Sequence, residues 1–136
     1  MTAAAGYSGT PLPRKLGVKP GSRILLVDPP DGFDLGPLPG DAVLHRRPGR
    51  SRYDVVLAFC PDLATLRRRF APLAGRLDSA GALWICWPKK ASGVRTDLDD
   101  NVVRGVGLDA GLVDVKVAAV DHIWSGIKFV RRLVDR

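Results

Sequence analysis

Three uninterrupted apolar runs constrain this chain more than any other feature: Arg23–Val27, Tyr53–Phe59 and Gly81–Cys86. A strand with one wet face alternates apolar and polar residues, whereas a continuous run is covered on both faces. Strands of that kind belong to a mostly parallel sheet layered between helices. The segments between them carry the matching signals. Leu63, Leu66, Phe70, Leu73 and Leu77 recur every three or four residues behind Asp62, a good N-cap, and make one apolar helical stripe. Pro72 predicts that this helix divides into two pieces.

A second helix is expected from near Thr96, where Thr96-Asp97-Leu98-Asp99 resembles a capping box with aspartate in place of glutamate. Asp97, Asp99 and Asp100 complement its positive end. Leu98, Val102, Val103 and Val106 give its buried face, and Gly111 its stop. Leu112–Val120 and Ile127–Val134 then read as a hairpin joined by Asp121–Gly126, with Val113, Val115 and Val117 alternating with Asp114 and Lys116.

On the N-terminal side, residues 1–10 read as loose and Pro11–Leu16 as a short helix closed by Gly17. Asp28-Pro-Pro-Asp-Gly32 stops the first strand, because prolines cannot donate to a ladder. Phe33–Gly40 holds too many prolines and glycines for more than one helical turn, and Ala42–Leu44 is a short strand. The division expected is residues 1–22 as an N-terminal segment and 23–136 as a single α/β domain. Strand, helix, strand, helix and hairpin is the order in the second half of class I methyltransferase-like Rossmann domains. The first half is abbreviated, since only the 14 residues Asp28–Asp41 separate the first two strands.

The bulk numbers agree with one ordinary globular unit: 136 residues, 46% hydrophobic and 26% charged. No apolar run approaches the roughly 20 residues of a membrane span, and the first residues carry no signal-peptide pattern. A cytoplasmic protein is expected, with no membrane partner and with Cys60 and Cys86 as buried reduced thiols. Two histidines and two cysteines at unrelated spacings offer no metal site. Net charge is +7, and 15 of the 21 basic residues are arginine. Arg46, Arg47, Arg50 and Arg52 share a loop, and Arg67, Arg68 and Arg69 a helix. A solvated face, nucleic acid and an acidic protein all stay open as readings. No aromatic residues interleave with the arginines for base stacking, so solubility leads.

Gly6-Tyr-Ser-Gly-Thr-Pro-Leu12, Trp87-Pro-Lys-Lys-Ala-Ser-Gly-Val94, Thr96-Asp-Leu98, Gly111-Leu-Val-Asp-Val-Lys116 and Trp124-Ser-Gly126 with Lys128-Phe129 together resemble a bacterial domain-of-unknown-function family. The resemblance covers nearly the whole chain. It implies a small cytoplasmic protein with a methyltransferase-like Rossmann fold, and no particular activity. Methyltransferases of that class hold S-adenosylmethionine with a glycine-rich turn after the first strand and a carboxylate after the second. Here those positions read Asp28-Pro29-Pro30-Asp31-Gly32 and His45-Arg46-Arg47, which disfavours that cofactor in its ordinary pose. The cofactor is therefore left unknown.

Ligands of open α/β sheets bind beyond the carboxyl ends of the strands. That rule collects Asp28, the loop with Lys89, Lys90, Ser92 and Thr96, and the hairpin loop with Asp121, Trp124 and Ser125 as one expected ligand-binding crevice. Lysines and hydroxyls before a helix start suit an anion. Each has a plainer reading: solvated lysines, Thr96 as a helix cap, Trp124 as core. A Ser92–His122–Asp121 triad fails because adjacent Asp and His cannot readily adopt the orienting geometry. The leading expectation is a degenerate domain binding an anionic small molecule without classical catalysis. An S-adenosylmethionine-dependent methyltransferase with an unorthodox cofactor site, and a basic interaction module, are the alternatives.

Overall fold

The computed structural model describes residues 9–136. Residues 1–8, including the Gly6–Ser8 part of the N-terminal motif and most of the start expected to be loose, lie outside the described residues. A short helix α1 (Leu12–Lys15) precedes β1 (Arg23–Val27), β2 (Val43–His45), β3 (Tyr53–Phe59), α2 (Leu63–Ala74), β4 (Leu77–Pro88), α3 (Asp100–Asp109), β5 (Leu112–Ala119) and β6 (Trp124–Arg131). The six strands form one sheet in the order β2-β1-β3-β4-β6-β5. β2, β1, β3 and β4 run parallel, while β6 runs antiparallel to both β4 and β5. This is the abbreviated class I methyltransferase-like Rossmann fold, a mostly parallel sheet with an antiparallel C-terminal hairpin.

Each apolar run feeds both faces in turn. Leu25, Val56, Ala58, Leu83 and Ile85 point into the core beneath α2 and α3, with Leu66, Phe70, Leu73 and Val103. Ile24, Leu26, Val55, Leu57, Phe59, Trp84 and Cys86 enter the opposite core, closed by Leu16, Val18 and Leu35. Residues 28–42 cross this second face without a helix, and Leu35 inserts where a helix would otherwise pack. The buried Trp84 indole N–H donates to the Leu16 carbonyl at 3.1 Å, fastening α1 to the sheet.

Several boundaries differ from expectation for identifiable reasons. Helix α2 is one piece with Pro72 in its last turn. Proline there removes the bond to the Arg68 carbonyl and crowds that carbonyl, a cost of up to roughly 3 kcal/mol. Burying Leu66, Phe70 and Leu73 stabilises the helix by roughly 1.5–3 kcal/mol each. Leu77 leaves the helical stripe and opens β4, paired with Tyr53. Helix α3 is capped by Asp99, whose Oδ1 accepts from Val102 N at 2.8 Å, and not by Thr96. Leu98 stays buried just ahead of it in the same core as Val103, the arrangement of a hydrophobic staple. The hairpin is tighter than expected, so Trp124 and Ser125 are strand residues of β6. No described helix is long and apolar enough to cross a membrane.

Candidate functional site

The carboxyl ends of β1, β3 and β4 share one edge of the sheet. Because β6 starts opposite Pro88, the hairpin turn 120–123 lies on that edge as well. Beyond β1, Asp28 takes a left-handed conformation (φ 49°) and Gly32 turns the chain back (φ 79°). The Asp28 carboxylate pairs with the Arg69 guanidinium of α2. Beyond β3, Cys60 N–H donates to the Cys86 carbonyl at 2.8 Å and extends the ladder by one residue. Burial pushes the Cys60 thiol up to about 11, partly opposed by Arg69 and reinforced by Asp28 and Asp62. Full burial also pushes Cys86 well above the usual thiol range. The two cysteines enter opposite cores, so they are protonated packing groups and not a redox pair.

The Trp87–Thr96 loop is tied to its surroundings through its own polar atoms. Lys89 N–H donates to the Ile123 carbonyl at 2.8 Å, which joins this loop to the hairpin turn. Ser92 Oγ donates to the Lys89 carbonyl (2.6 Å) and accepts from Val94 N–H (3.1 Å). Thr96 Oγ1 donates to the Pro61 carbonyl (2.7 Å) and accepts from Leu98 N–H (3.1 Å). Asp97 accepts from Leu63 N–H at 2.9 Å, so the run-in to α3 helps to cap α2. Asp62 supplies the main cap. The hydrogen bond from Thr65, above all, holds its carboxyl below the usual range. Lys90 is exposed and Lys89 half-buried.

Asp121 organises the hairpin turn: its Oδ1 accepts from both Ile123 N–H and Trp124 N–H at 2.8 Å. The Trp124 ring meets Phe59 edge-on at 5.0 Å, and Phe59 meets Phe33 at 4.9 Å. Beside Phe33 opens a cavity of about 650 Å³ between segments 9–12 and 32–37, Lys15 and Val120–Asp121. Of the eight expected ligand residues, Asp121 lines it. Asp28, Lys89, Lys90, Ser92, Thr96, Trp124 and Ser125 are not among its lining residues. The groups that sequence reasoning missed are Asp34, Gly36 and Lys15. Asp34 Oδ1 accepts from Gly36 N–H at 2.9 Å, a turn that an Asp-x-Gly triplet permits. Among the described residues, no set of three or more histidine, cysteine or acidic side chains could hold a metal ion.

The basic residues divide into two groups. Arg52 donates to the Gly75 and Leu77 carbonyls, Arg131 to those of Ala74 and Leu77, and Arg76 to that of Gly49. Tyr53 Oη bonds His45 Nδ1 at 2.6 Å and accepts from Gly49 N–H, which pins the arginine loop to the end of β2. Arg46, Arg47, Arg50, Arg67 and Arg68 remain exposed.

No protein-family model and no curated protein matches the chain. Solved structures do. A TehB-like SAM-dependent methyltransferase from Corynebacterium glutamicum aligns over 94% of this chain and 91% of its own, at 12% identity and a TM-score of 0.56. A SAM-dependent methyltransferase from Aquifex aeolicus aligns over 85% of both chains, at 14% identity and a TM-score of 0.54. One described as a putative methyltransferase, from Thermoplasma acidophilum, aligns over 86% of this chain and 71% of its own, at 11% identity and a TM-score of 0.54. The chain spans about half, 52%, of a longer magnesium protoporphyrin IX methyltransferase from Synechocystis PCC 6803. At such identities the likeness is one of fold.

Proposed function

We propose that this chain is an S-adenosylmethionine-dependent methyltransferase with an unorthodox cofactor site, the cavity between segments 9–12 and 32–37 and Val120–Asp121. One observation carries the reading. The cavity borders the hairpin turn at the carboxyl edge of the sheet, and its lining sets two carboxylates, Asp34 and Asp121, against one ammonium, Lys15. S-adenosylmethionine bears a sulfonium, an ammonium and a ribose diol, each of which a carboxylate favours. Gly32 and Gly36 stand at positive φ with open space where a side chain would begin, so a ligand can approach the backbone closely. Two of the similar folds are themselves named as SAM-dependent, which supports the ligand class.

The usual cradle of that cofactor does not fit these residues. Pro29 and Pro30 offer no N–H after β1, and Arg69 already engages Asp28. The His45 ring at the end of β2 is bonded to Tyr53, and two arginines follow it. The leading expectation, an anion held without catalysis, has less support. An anion in the cavity would face two carboxylates, and Ser92 and Thr96 already serve their own loop. What still favours an anion at this edge is Arg69, whose Nη1 is buried with no acceptor. We propose further that the chain belongs to the bacterial family its motifs resemble and acts in the cytoplasm; fractionation of cells carrying a tagged copy checks the location.

Isothermal titration calorimetry with S-adenosylmethionine tests the central claim. Saturable 1:1 binding is expected. Asp34→Asn keeps the turn but removes the charge, and should weaken binding about tenfold or more. No heat at millimolar cofactor overturns the proposal. A thermal-shift response to inorganic phosphate that Lys89→Ala with Lys90→Ala abolishes would favour the anionic reading instead.

A further inference from the structure

On the face of the sheet that α1 covers, Lys116 of β5 and Lys128 of β6 stand directly opposite each other in the antiparallel ladder. Two like charges in that position repel, and an ordinary sheet avoids the pairing. Here the repulsion is compounded. Lys128 is half-buried in mid-strand, and its Nζ lies 3.8 Å from where a side chain on Gly17 would begin. Burial lowers its affinity for a proton, and Lys116 and Lys19 lower it further. Lys15 donates to the Ala119 carbonyl at 3.0 Å, and Lys116 reaches the Lys15 carbonyl at 3.5 Å, so the C-terminus of α1 is drawn into the same group. Among the described residues the ion pairs join Asp28 to Arg69 and Arg104 to Asp100 and Asp114; none includes Lys19, Lys116 or Lys128. Beside Lys116 runs a cleft of about 450 Å³, bordered by Thr10, Arg14, Lys15 and residues 117–119. It shares Thr10 and Lys15 with the larger cavity.

We propose that Lys19, Lys116 and Lys128, with Arg14 at the rim, form a binding site for a multiply charged phosphate group. Such a ligand brings the counter-charge that the ladder lacks, and an ammonium binds phosphate as a point charge without a fixed fork. This site is separate from the Lys89–Lys90 loop. It also stands apart from the cofactor reading, because Asp34 and Asp121 take no part in it.

Inorganic triphosphate at low ionic strength is the probe. Calorimetry should give saturable binding to the intact chain, weakened tenfold or more by Lys128→Met and by Lys19→Met. Lys128→Arg should retain it, as should Lys89→Ala with Lys90→Ala. Lys19 is exposed, so its variant reports on binding even if Lys128→Met folds poorly. With no ligand present, Lys128→Met should melt higher than wild type by roughly 2–4 °C, since it relieves like-charge repulsion. Triphosphate should raise the melting temperature of the wild type and leave that of Lys128→Met unchanged. A mixed-sequence oligonucleotide that displaces triphosphate identifies the source as a nucleic-acid backbone, and failure to displace it identifies a phosphorylated small molecule. Absent binding to wild type, or binding unchanged in Lys128→Met and Lys19→Met, overturns the site. Calorimetry with S-adenosylmethionine on the same variants shows which of the two proposals has failed.

Discussion

Cys60 shows what a single side chain contributes at this edge. It follows the most buried strand, lies beside Asp28, Asp62 and Arg69, and in isolation resembles a nucleophile. Desolvation decides otherwise, because burial raises its pKa from 9.0 to about 11 against the lowering effect of Arg69. The sign follows from linkage. The folded state holds this proton more tightly than the unfolded chain, so the thiol's contribution to stability is complete below pH 9. It is lost as the pH rises through about 11. Melting temperature measured from pH 8 upward should fall across that window, and Cys60→Ala should flatten the fall. An unchanged slope in the variant would mean that the thiol is more hydrated than its place in the core implies. Cys60 and Cys86 were legible in the sequence as buried thiols because both end apolar runs. The roles of Asp34 and Lys15 were not, since a turn aspartate and a short-helix lysine look like any solvated residue until the chain is folded.

Helix α3 separates two glycines that sequence alone cannot tell apart. At Gly107 an added Cβ would stand 2.0 Å from Cε1 of Phe129, a fully buried ring held edge-on by Phe70 at 5.3 Å. At Gly105 nothing lies within 4 Å. Gly107→Ala should therefore destabilise the protein by about 1–3 kcal/mol of overpacking, less the gain in helix propensity. Gly105→Ala should stabilise it by roughly 0.5–1 kcal/mol. Denaturant midpoints at constant slope measure both, and equal effects at the two positions would contradict the close approach of α3 to β6. Elements were legible wherever an apolar run or a period extended over several residues: β1, β3, the hairpin and both long helices. Their ends were less so. Thr96 and Asp99 are each competent N-caps; in the fold Thr96 Oγ1 bonds the Pro61 carbonyl and Leu98 N–H ahead of the helix, and Asp99 takes the cap. Pro72 reads as a breaker, yet in a last turn it costs one bond and the crowding of one carbonyl, which the buried stripe offsets.

For the molecule as a whole, the parallel sheet and its antiparallel hairpin follow from the order of apolar runs and the shortness of the turns between them. The position of the cavity does not follow, because it depends on an irregular segment, residues 32–37, folding over the second face of the sheet without a helix. The charge of +7 needs the same distinction between built-in and available parts. Arg52 and Arg131 donate to carbonyls where α2 ends and β4 begins, those of Ala74 and Gly75 being groups a helix C-terminus leaves unsatisfied. Removing Arg131, which is half-buried there, should destabilise the fold by about 1.5–3 kcal/mol. Arg46, Arg47, Arg50, Arg67 and Arg68 are exposed, so alanine at each should shift stability by no more than about 0.5 kcal/mol. If the basic face serves a polyanionic or acidic partner, affinity resides in that second set, where no fold requirement competes for the charge. The variant lacking all five should melt like wild type and lose any salt-dependent binding to DNA, RNA or an acidic protein. Binding that survives in it, or that disappears in Arg131→Ala while the fold stays intact, would place the interface elsewhere.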